Sequence, residues 1–142
     1  MSVNATLSKF YRVRSKILSR HYAQYGLTIL QVTVLFAIYE NDGSIQRELC
    51  ELVDTSPTVM VGVLSALEKN GLIERRYCPT NRRIINVFIT QAGIELTGHL
   101  HEMISKIEED HMSMLSQEEQ AAFHALLKKA LDSWQTVFDG QE

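Results

Sequence analysis

Apolar residues recur every three or four positions through three long segments of the chain. The first segment runs from about Ala5 to Gln24, the second from Thr90 to about Met112, and the third from Ser116 to about Phe138. This spacing places the apolar side chains of each segment on one side of an α-helix. The pattern therefore predicts one long amphipathic helix near the start of the chain and two near its end.

A further helix is predicted between Thr28 and about Tyr39, and its apolar residues occupy almost the whole circumference. Thr28 and Gln31 form a capping-box pattern at its start. A helix that is apolar on nearly all sides is buried. We therefore expect this helix at the centre of the subunit.

The segment Ser44–Thr90 changes from helical to strand spacing. Gln46–Val53 and Ser56–Asn70 have helical spacing and are separated by a two-residue turn. The second of these helices opens on a residue that can cap it, followed by Pro57, which suits the first helical position. Gly71 can take the left-handed conformation that ends the helix.

Two apolar, β-branched strands follow, Leu72–Tyr77 and Ile84–Ile89, with the basic loop Cys78–Arg83 between them. Two helices joined by a short turn and followed by a β-hairpin predict a winged helix-turn-helix, whose second helix enters the major groove of DNA. The expected fold class is mainly α with a small β-hairpin wing, flanked by long dimerisation helices.

Several motifs of this region together resemble the MarR family of bacterial transcriptional regulators. They are Leu27-Thr28-x-x-Gln31-x-x-Val34-Leu35, Glu48-Leu49, Leu67-Glu68-Lys69-Asn70-Gly71-Leu72-Ile73-Glu74-Arg75, Asn81-Arg82-Arg83 and Ile89-Thr90-x-x-Gly93. The resemblance implies a single domain over residues 1–142, in which residues 27–90 bind DNA. It also implies that residues 1–26 and 91–142 interleave with a second copy in a homodimer, which acts as a repressor released by a small ligand or a stress signal. The family pattern has an aspartate where this chain has Asn81.

Length and composition agree with a globular protein. The 142 residues are 45% hydrophobic and 22% charged, which suits one soluble domain. No apolar run has the length needed to cross a bilayer, and Met1–Thr6 lacks the pattern of a signal peptide. Two cysteines fit a reducing compartment. We therefore expect a cytoplasmic protein.

The net charge of −3 is unevenly distributed along the chain. Residues 1–30 carry five basic residues and no acid, whereas residues 91–142 carry ten acids against three lysines. We expect the basic first helix to meet the acidic last two helices within or across subunits. Exposed ion pairs contribute only about 0–1 kcal/mol each, so the apolar stripes would drive assembly and the charges would set orientation.

The residues expected to contact DNA lie on the two helices and on the hairpin. Wing arginines suit phosphate or a narrow minor groove, although Arg75 or Arg76 could instead face inward or pair with Glu74. The groove-facing helix lacks a base-reading Arg, Asn or Gln, but its methyl groups can touch thymine. We therefore expect an A·T-rich, roughly palindromic operator. The candidate set is Arg47, Ser56, Thr58, Val59, Val61, Gly62, Ser65, Arg75, Arg76, Arg82 and Arg83.

The resemblance also implies a small-molecule pocket between the dimerisation helices and the winged helix. Arg20, His21, Tyr25 and Tyr39 could line it with basic and aromatic groups suited to an aromatic acid effector. Packing at the subunit interface is the alternative role for these four residues.

The same residues would also suit two other functions. The apolar groove-facing helix would also suit a protein-interaction module without base readout, and Cys78 beside the arginines would suit a thiol-based redox sensor. No two histidines stand at i, i+4 on a helix, so no metal site is expected. The chain has no phosphate loop and no hydrolase signature, so neither an enzyme nor a cofactor is expected.

Overall fold

The computed structural model describes residues 1–141. Within them it contains six helices and one antiparallel β-hairpin, in an order that confirms the predicted fold class. The elements are α1 (Val3–Ala23), α2 (Ile29–Glu40), α3 (Gln46–Leu52), α4 (Pro57–Lys69), β1 (Ile73–Cys78), β2 (Asn81–Ile89), α5 (Gln91–His111) and α6 (Gln117–Asp139).

Local side-chain hydrogen bonds begin the helices where the sequence predicts them. The hydroxyl of Thr28 accepts from the N–H of Gln31 at 3.1 Å, and the Gln31 side chain accepts from the N–H of Thr28 at 3.0 Å. Ser56 caps α4 by accepting from the N–H of Val59 at 3.3 Å. Gly71 follows α4 with a φ of 73°, as expected for a left-handed helix end.

The core of the first compact unit, Met1–His101, is organised around α2. This helix contacts α1, α3, α4 and β2, and Val34, Leu35 and Ile38 on it are fully buried. The prediction that α2 lies at the centre is therefore confirmed. The largest fully buried side chains are Leu35, Ile38, Leu49, Met60, Leu64, Leu67, Ile73, Leu100, Val34 and Val87.

The chain changes direction by 108° between α3 and α4, within the range typical of a helix-turn-helix. Asp54 makes the turn possible by adopting a φ of 49°. No single helix in residues 1–141 is long and apolar enough to cross a membrane. The α3–α4 pair reaches that length and composition only in combination, and it is bent.

The start of α5 lies against the start of β1. Thr90 donates its hydroxyl to the carbonyl oxygen of Gly71 at 2.6 Å and its N–H to that of Leu72 at 3.1 Å. A Cβ added at Gly93 would collide with the Leu72 carbonyl oxygen and would lie 2.7 Å from Ile89 Cγ1. Only glycine therefore lets α5 begin this close to the hairpin.

The second compact unit, Glu102–Glu142, contains α6 without a core of its own. None of the 23 residues of α6 is buried. One side of the helix nevertheless presents large apolar side chains at intervals of three and four residues, namely Leu127, Leu131, Trp134 and Phe138. A stripe of this size on a lone helix is typical of a surface that another chain covers.

Candidate nucleic-acid interface

Helix α4 divides cleanly into a packed side and an open side. Met60, Val63, Leu64 and Leu67 are buried against the rest of the unit. The open side consists of the five candidate residues that the sequence assigns to the groove, and all are exposed: Thr58, Val59, Val61, Gly62 and Ser65. Val59 and Val61 are each 46% exposed, so this side offers methyl groups, and its only hydrogen-bonding side chains are the hydroxyls of Thr58 and Ser65.

Gly62 lies at the middle of this open side. A Cβ built there meets no atom of the protein within 4 Å. Packing in residues 1–141 therefore does not require glycine, although glycine inside a helix costs roughly 0.5–1 kcal/mol relative to alanine. The residue leaves a shallow surface where the backbone of another molecule can come close.

Two further candidates frame this surface. Arg47 is exposed on α3, whose first turn precedes the helix-turn-helix bend. Ser56 is exposed at the amino end of α4, where its hydroxyl accepts a hydrogen bond from Val59 N–H. The hydroxyl proton of Ser56 stays available to donate to a phosphate oxygen.

Arg75 does not point towards solvent but is held by Glu68 of α4. Its Nε and a terminal guanidinium nitrogen donate to Glu68 Oε1 at 3.2 and 2.9 Å, while its backbone N–H donates to Glu68 Oε2 at 2.8 Å. These bonds, the backbone one first, lower the pKa of Glu68 from its usual value. The partner of Arg75 was not identified from the sequence.

Arg76 is engaged differently, on the exposed side of the hairpin. It donates to Glu74 Oε2 at 2.7 Å, and its guanidinium lies 4.5 Å from the centre of the Phe88 ring. Phe88 faces Glu74 across the ladder and is therefore a diagonal neighbour of Arg76. The Arg76 side chain is 61% exposed, so this pair is weak and can open to contact another molecule.

Arg82 and Arg83 lie where the hairpin leaves its regular register. Tyr77 pairs with Ile85, so regular pairing would place Cys78 opposite Ile84, yet Cys78 pairs with Asn81. The residues from Arg82 to Ile84 consequently have no cross-strand partner, and both arginines are exposed. The sequence-based prediction that the second strand begins at Ile84 was therefore wrong, because β2 begins at Asn81.

No carboxylate in the part of the chain that the structure describes forms an ion pair with either arginine. The ion pairs in residues 1–141 are Arg75 with Glu68 and Arg76 with Glu74, and neither involves the tip of the hairpin. Irregular pairing of this kind redirects side chains away from the plane of the sheet. The tip of the wing therefore carries two exposed cations that form no ion pair within the described residues.

Cys78 begins the turn of the wing, and its thiol has a lowered pKa. The cause is the hydrogen bond between Cys78 Sγ and Thr80 Oγ1 at 3.3 Å, followed by the backbone N–H groups of Thr80 and Asn81. The sequence-based explanation, proximity to arginines, was wrong about this cause. Cys50 is buried on α3.

Three of the four candidate effector residues lie near the end of α1, and the fourth lies near the end of α2. Arg20 and His21 end α1 and Tyr25 lies in the turn after it, whereas Tyr39 lies near the far end of α2. At 1.5 Å per residue, Tyr39 stands about 15 Å along the helix from Ile29. The first three residues can therefore share one site within a subunit, and Tyr39 lies away from it.

No group of three or more His, Cys, Asp or Glu residues in the described chain could hold a metal ion. His101 contacts Phe36 of α2, with ring centres 5.6 Å apart and the rings edge to face. This histidine therefore takes part in packing between α5 and α2.

Comparison with known proteins places this arrangement among regulators. The model of the MarR family matches residues 27–85, which include α2, the helix-turn-helix and most of the wing. The transcriptional regulator HosA of Escherichia coli O111:H- is 26% identical over 129 residues, which cover 87% of this chain and 95% of HosA. The HTH-type transcriptional repressor NicR of Pseudomonas putida is 27% identical over 131 residues, which cover 92% of this chain and 83% of NicR.

A solved structure shares the fold. The crystal structure of the Staphylococcus aureus MepR–DNA complex superposes with a TM-score of 0.80 at 23% identity. The superposition covers 94% of this chain and 98% of that chain. The similarity therefore extends beyond the matched segment to the flanking helices.

Proposed function

We propose that this chain, whose residues 27–85 match the model of the MarR family, is a DNA-binding transcriptional regulator that acts as a homodimer. It represses its target genes until a small ligand or a stress signal releases it. The observation that carries the proposal is that the same unit bears an open helix face on α4 and a wing tip whose two exposed arginines have no carboxylate partner in residues 1–141. A regulator of this kind acts where the DNA lies, in the cytoplasm.

The two surfaces have different tasks on DNA. Helix α4 enters the major groove, where Val59 and Val61 touch thymine methyl groups and Gly62 lets the helix approach closely. Arg82 and Arg83 contact phosphates or the narrow minor groove beside it. Sequence is then recognised by methyl contacts and by DNA shape, so discrimination at each base pair is shallow.

The homodimer follows from the exposed apolar stripe of α6. A helix with no buried residue gains its stability from a partner rather than from its own subunit. Two-fold symmetry then presents two copies of α4 to one face of the duplex. The operator is accordingly an A·T-rich palindrome whose half-sites are about one helical turn, or roughly 34 Å, apart.

The effector site lies at the junction of α1 and α2. Arg20 offers a cation at the end of α1, and His21 and Tyr25 offer rings nearby, which together suit an aromatic carboxylate. Benzoate is a suitable probe, with cyclohexanecarboxylate as the non-aromatic control. Benzoate should raise the melting temperature of the protein, and Arg20→Gln should abolish that rise.

Selection of bound duplexes from a random DNA pool tests the proposal directly. The full chain should enrich A·T-rich palindromes, and the enriched duplex should bind with one dimer per site. A chain that served as a protein-interaction module would enrich no sequence. That outcome would contradict the proposed function.

A further inference from the structure

We infer that Glu68 is the positioning residue of the wing: its carboxylate fixes β1 against α4 and withdraws Arg75 from DNA. This inference rests on the proposed DNA-binding function, because it concerns how the wing is presented to the duplex. It is carried by the three hydrogen bonds between Glu68 and Arg75 and by the place of these residues in the hairpin.

The Glu68 carboxylate uses its two oxygens for two different parts of the same residue. Oε1 accepts from two guanidinium N–H groups of Arg75, and Oε2 accepts from its backbone N–H. A side-chain bond alone would hold only the end of a flexible arginine. The bond to the backbone holds the strand itself, at 2.8 Å.

This backbone bond lies on the outer edge of the hairpin. Arg75 pairs with Val87 in the ladder, yet its N–H donates to α4 rather than to β2. A backbone N–H on a strand edge would otherwise donate to water or to another chain. Glu68 therefore satisfies an edge donor and joins β1 to the helix in one contact.

The first residue of β1, Ile73, is buried, and the strand follows α4 through the turn at Gly71, so Glu68 adds a contact further along the strand, at Arg75. That turn comprises Asn70 to Leu72, and a glycine with positive φ lies within it. The other strand has its own attachment, because Val87 N–H donates to the Ser44 carbonyl at 2.9 Å and Gly43 N–H donates to that of Val87 at 2.8 Å. Glu68 supplies the corresponding attachment for β1, so β1 is fixed to α4 and β2 is fixed to the loop between α2 and α3.

The same contact sorts the arginines of the wing by role. Arg75 is 24% exposed and has its guanidinium committed to Glu68, whereas Arg82 and Arg83 at the tip have no carboxylate partner in residues 1–141. Arg75 therefore orients the wing, and the tip arginines bind phosphate. Removal of Arg75 should not change the number of phosphates that the protein contacts.

Removal of Glu68 should have two opposite effects on DNA affinity, one from the lost charge and one from the lost attachment of β1. Loss of one negative charge beside DNA should strengthen binding, because it reduces repulsion of the phosphates. Loss of the attachment should weaken binding, because Arg82 and Arg83 would no longer be held in place. The sign of the change in affinity therefore distinguishes the two effects.

The test compares Glu68→Gln with Glu74→Gln on a duplex that the wild-type chain selects from a random pool. Both variants lose one negative charge from the same region, but Glu74 contacts Arg76 at the surface, with no hydrogen bond to α4. Glutamine has a single acceptor oxygen, so it cannot hold both the amide and the guanidinium of Arg75. We expect Glu68→Gln to weaken binding by roughly three- to thirtyfold, the range usual for residues that act without touching the ligand. Glu74→Gln should bind as tightly as wild type or more tightly.

A salt titration of Arg75→Gln tests the withdrawal of Arg75 from DNA. Each lost phosphate contact lowers the slope of log affinity against log salt by about one unit. We expect Arg75→Gln to weaken binding and keep the wild-type slope. A slope reduced by about one unit would mean that Arg75 contacts phosphate, and it would overturn the inference.

A distance measurement reports on the wing without DNA. One spin label is attached to Cys78 and a second to a cysteine introduced by Lys69→Cys, so the two labels lie at opposite ends of β1. Cys50 is buried and should stay unlabelled. Labelled protein is mixed with excess unlabelled protein, so that each dimer carries one labelled subunit. Glu68→Gln should broaden the distribution of distances between the labels, and Glu74→Gln should leave it unchanged.

The outcomes separate this inference from the function on which it rests. If both glutamine variants match wild type in affinity and in label distances, Glu68 does not position the wing. If the wild-type chain binds no duplex at all, the proposed function fails, and the label distances still decide whether Glu68 holds β1.

Discussion

The side-chain oxygen of Asn81 accepts a hydrogen bond from the backbone N–H of Arg83 at 3.1 Å. Asn81 stands where the family pattern has an aspartate, and its amide supplies the same acceptor without a negative charge. The turn into β2 is therefore stabilised, yet the side chain at position 81 places no negative charge beside Arg82 and Arg83. The full charge of both arginines stays available to a polyanion.

Replacing Arg82 and Arg83 with alanine should weaken binding to every duplex, because their contacts with phosphate carry no sequence information. The slope of log affinity against log salt should fall by about one unit per lost contact. The measurement is a binding titration at several salt concentrations for the wild-type chain and the double variant. Identical slopes for the two proteins would show that the tip arginines do not touch the backbone of DNA.

Gly62→Ala should stabilise the protein and weaken its binding to DNA. The added methyl group meets nothing in the protein, so the free energy of unfolding should rise by roughly 0.5–1 kcal/mol. Gly98 of α5 is a matched control, since a Cβ there also meets nothing within 4 Å. Denaturant titration should show similar gains for both variants, while only Gly62→Ala loses affinity for the selected duplex. Equal DNA affinity of the two variants would place Gly62 away from the duplex.

Replacing thymine with uracil in the selected operator removes only the methyl groups of the bases. Affinity should fall at the positions that Val59 and Val61 contact, because these side chains have no hydrogen bond to offer instead. The measurement is competition between the two duplexes at one salt concentration. An operator with strictly required guanines, or unchanged affinity on uracil substitution, would contradict this account of α4.

Leu131→Glu should dissociate the dimer, because it places a charge in the apolar stripe of α6. Lys129→Glu is the control, since that exposed residue lies on the opposite side of the same helix. We expect the dissociation constant of the dimer to rise by more than about tenfold for Leu131→Glu alone. Light scattering across a dilution series measures it. A dimer that tolerates Leu131→Glu as well as Lys129→Glu would remove α6 from the interface.

The Glu68–Arg75 contact should contribute stability that depends on pH. The pKa of Glu68 is lowered in the folded protein, so its carboxylate contributes fully above the ordinary value of about 4.5. This contribution is lost as the pH falls through the lowered pKa. The difference in unfolding free energy between wild type and Glu68→Gln should therefore be largest near neutral pH and shrink in acid. Denaturant titrations at neutral and acidic pH should show this trend, and a constant difference would contradict it.

The parts of the fold that follow from neighbouring residues were predictable, whereas the contacts across elements were not. The caps at Thr28 and Ser116 and the turn at Gly71 depend on atoms within about one helical turn, so their residue types identify them. The link between Glu68 and Arg75 joins two elements, and it depends on the angle between them. The shifted pairing of Cys78 depends on the register of the whole hairpin, which the composition of the loop does not reveal.

The absence of a buried residue on α6 has a consequence for whether related regulators in one cell form mixed dimers. Substitutions at Leu127, Leu131 and Trp134 leave the packing of the DNA-binding unit unaltered. The apolar stripe can therefore diverge under selection for pairing with a second copy of the same chain. Duplicated copies of such a regulator can therefore lose their ability to form mixed pairs while each keeps its DNA-binding unit intact. Mixed pairs would bring two different half-sites under one control, and in the proposed homodimer the apolar stripe of α6 would determine whether they form.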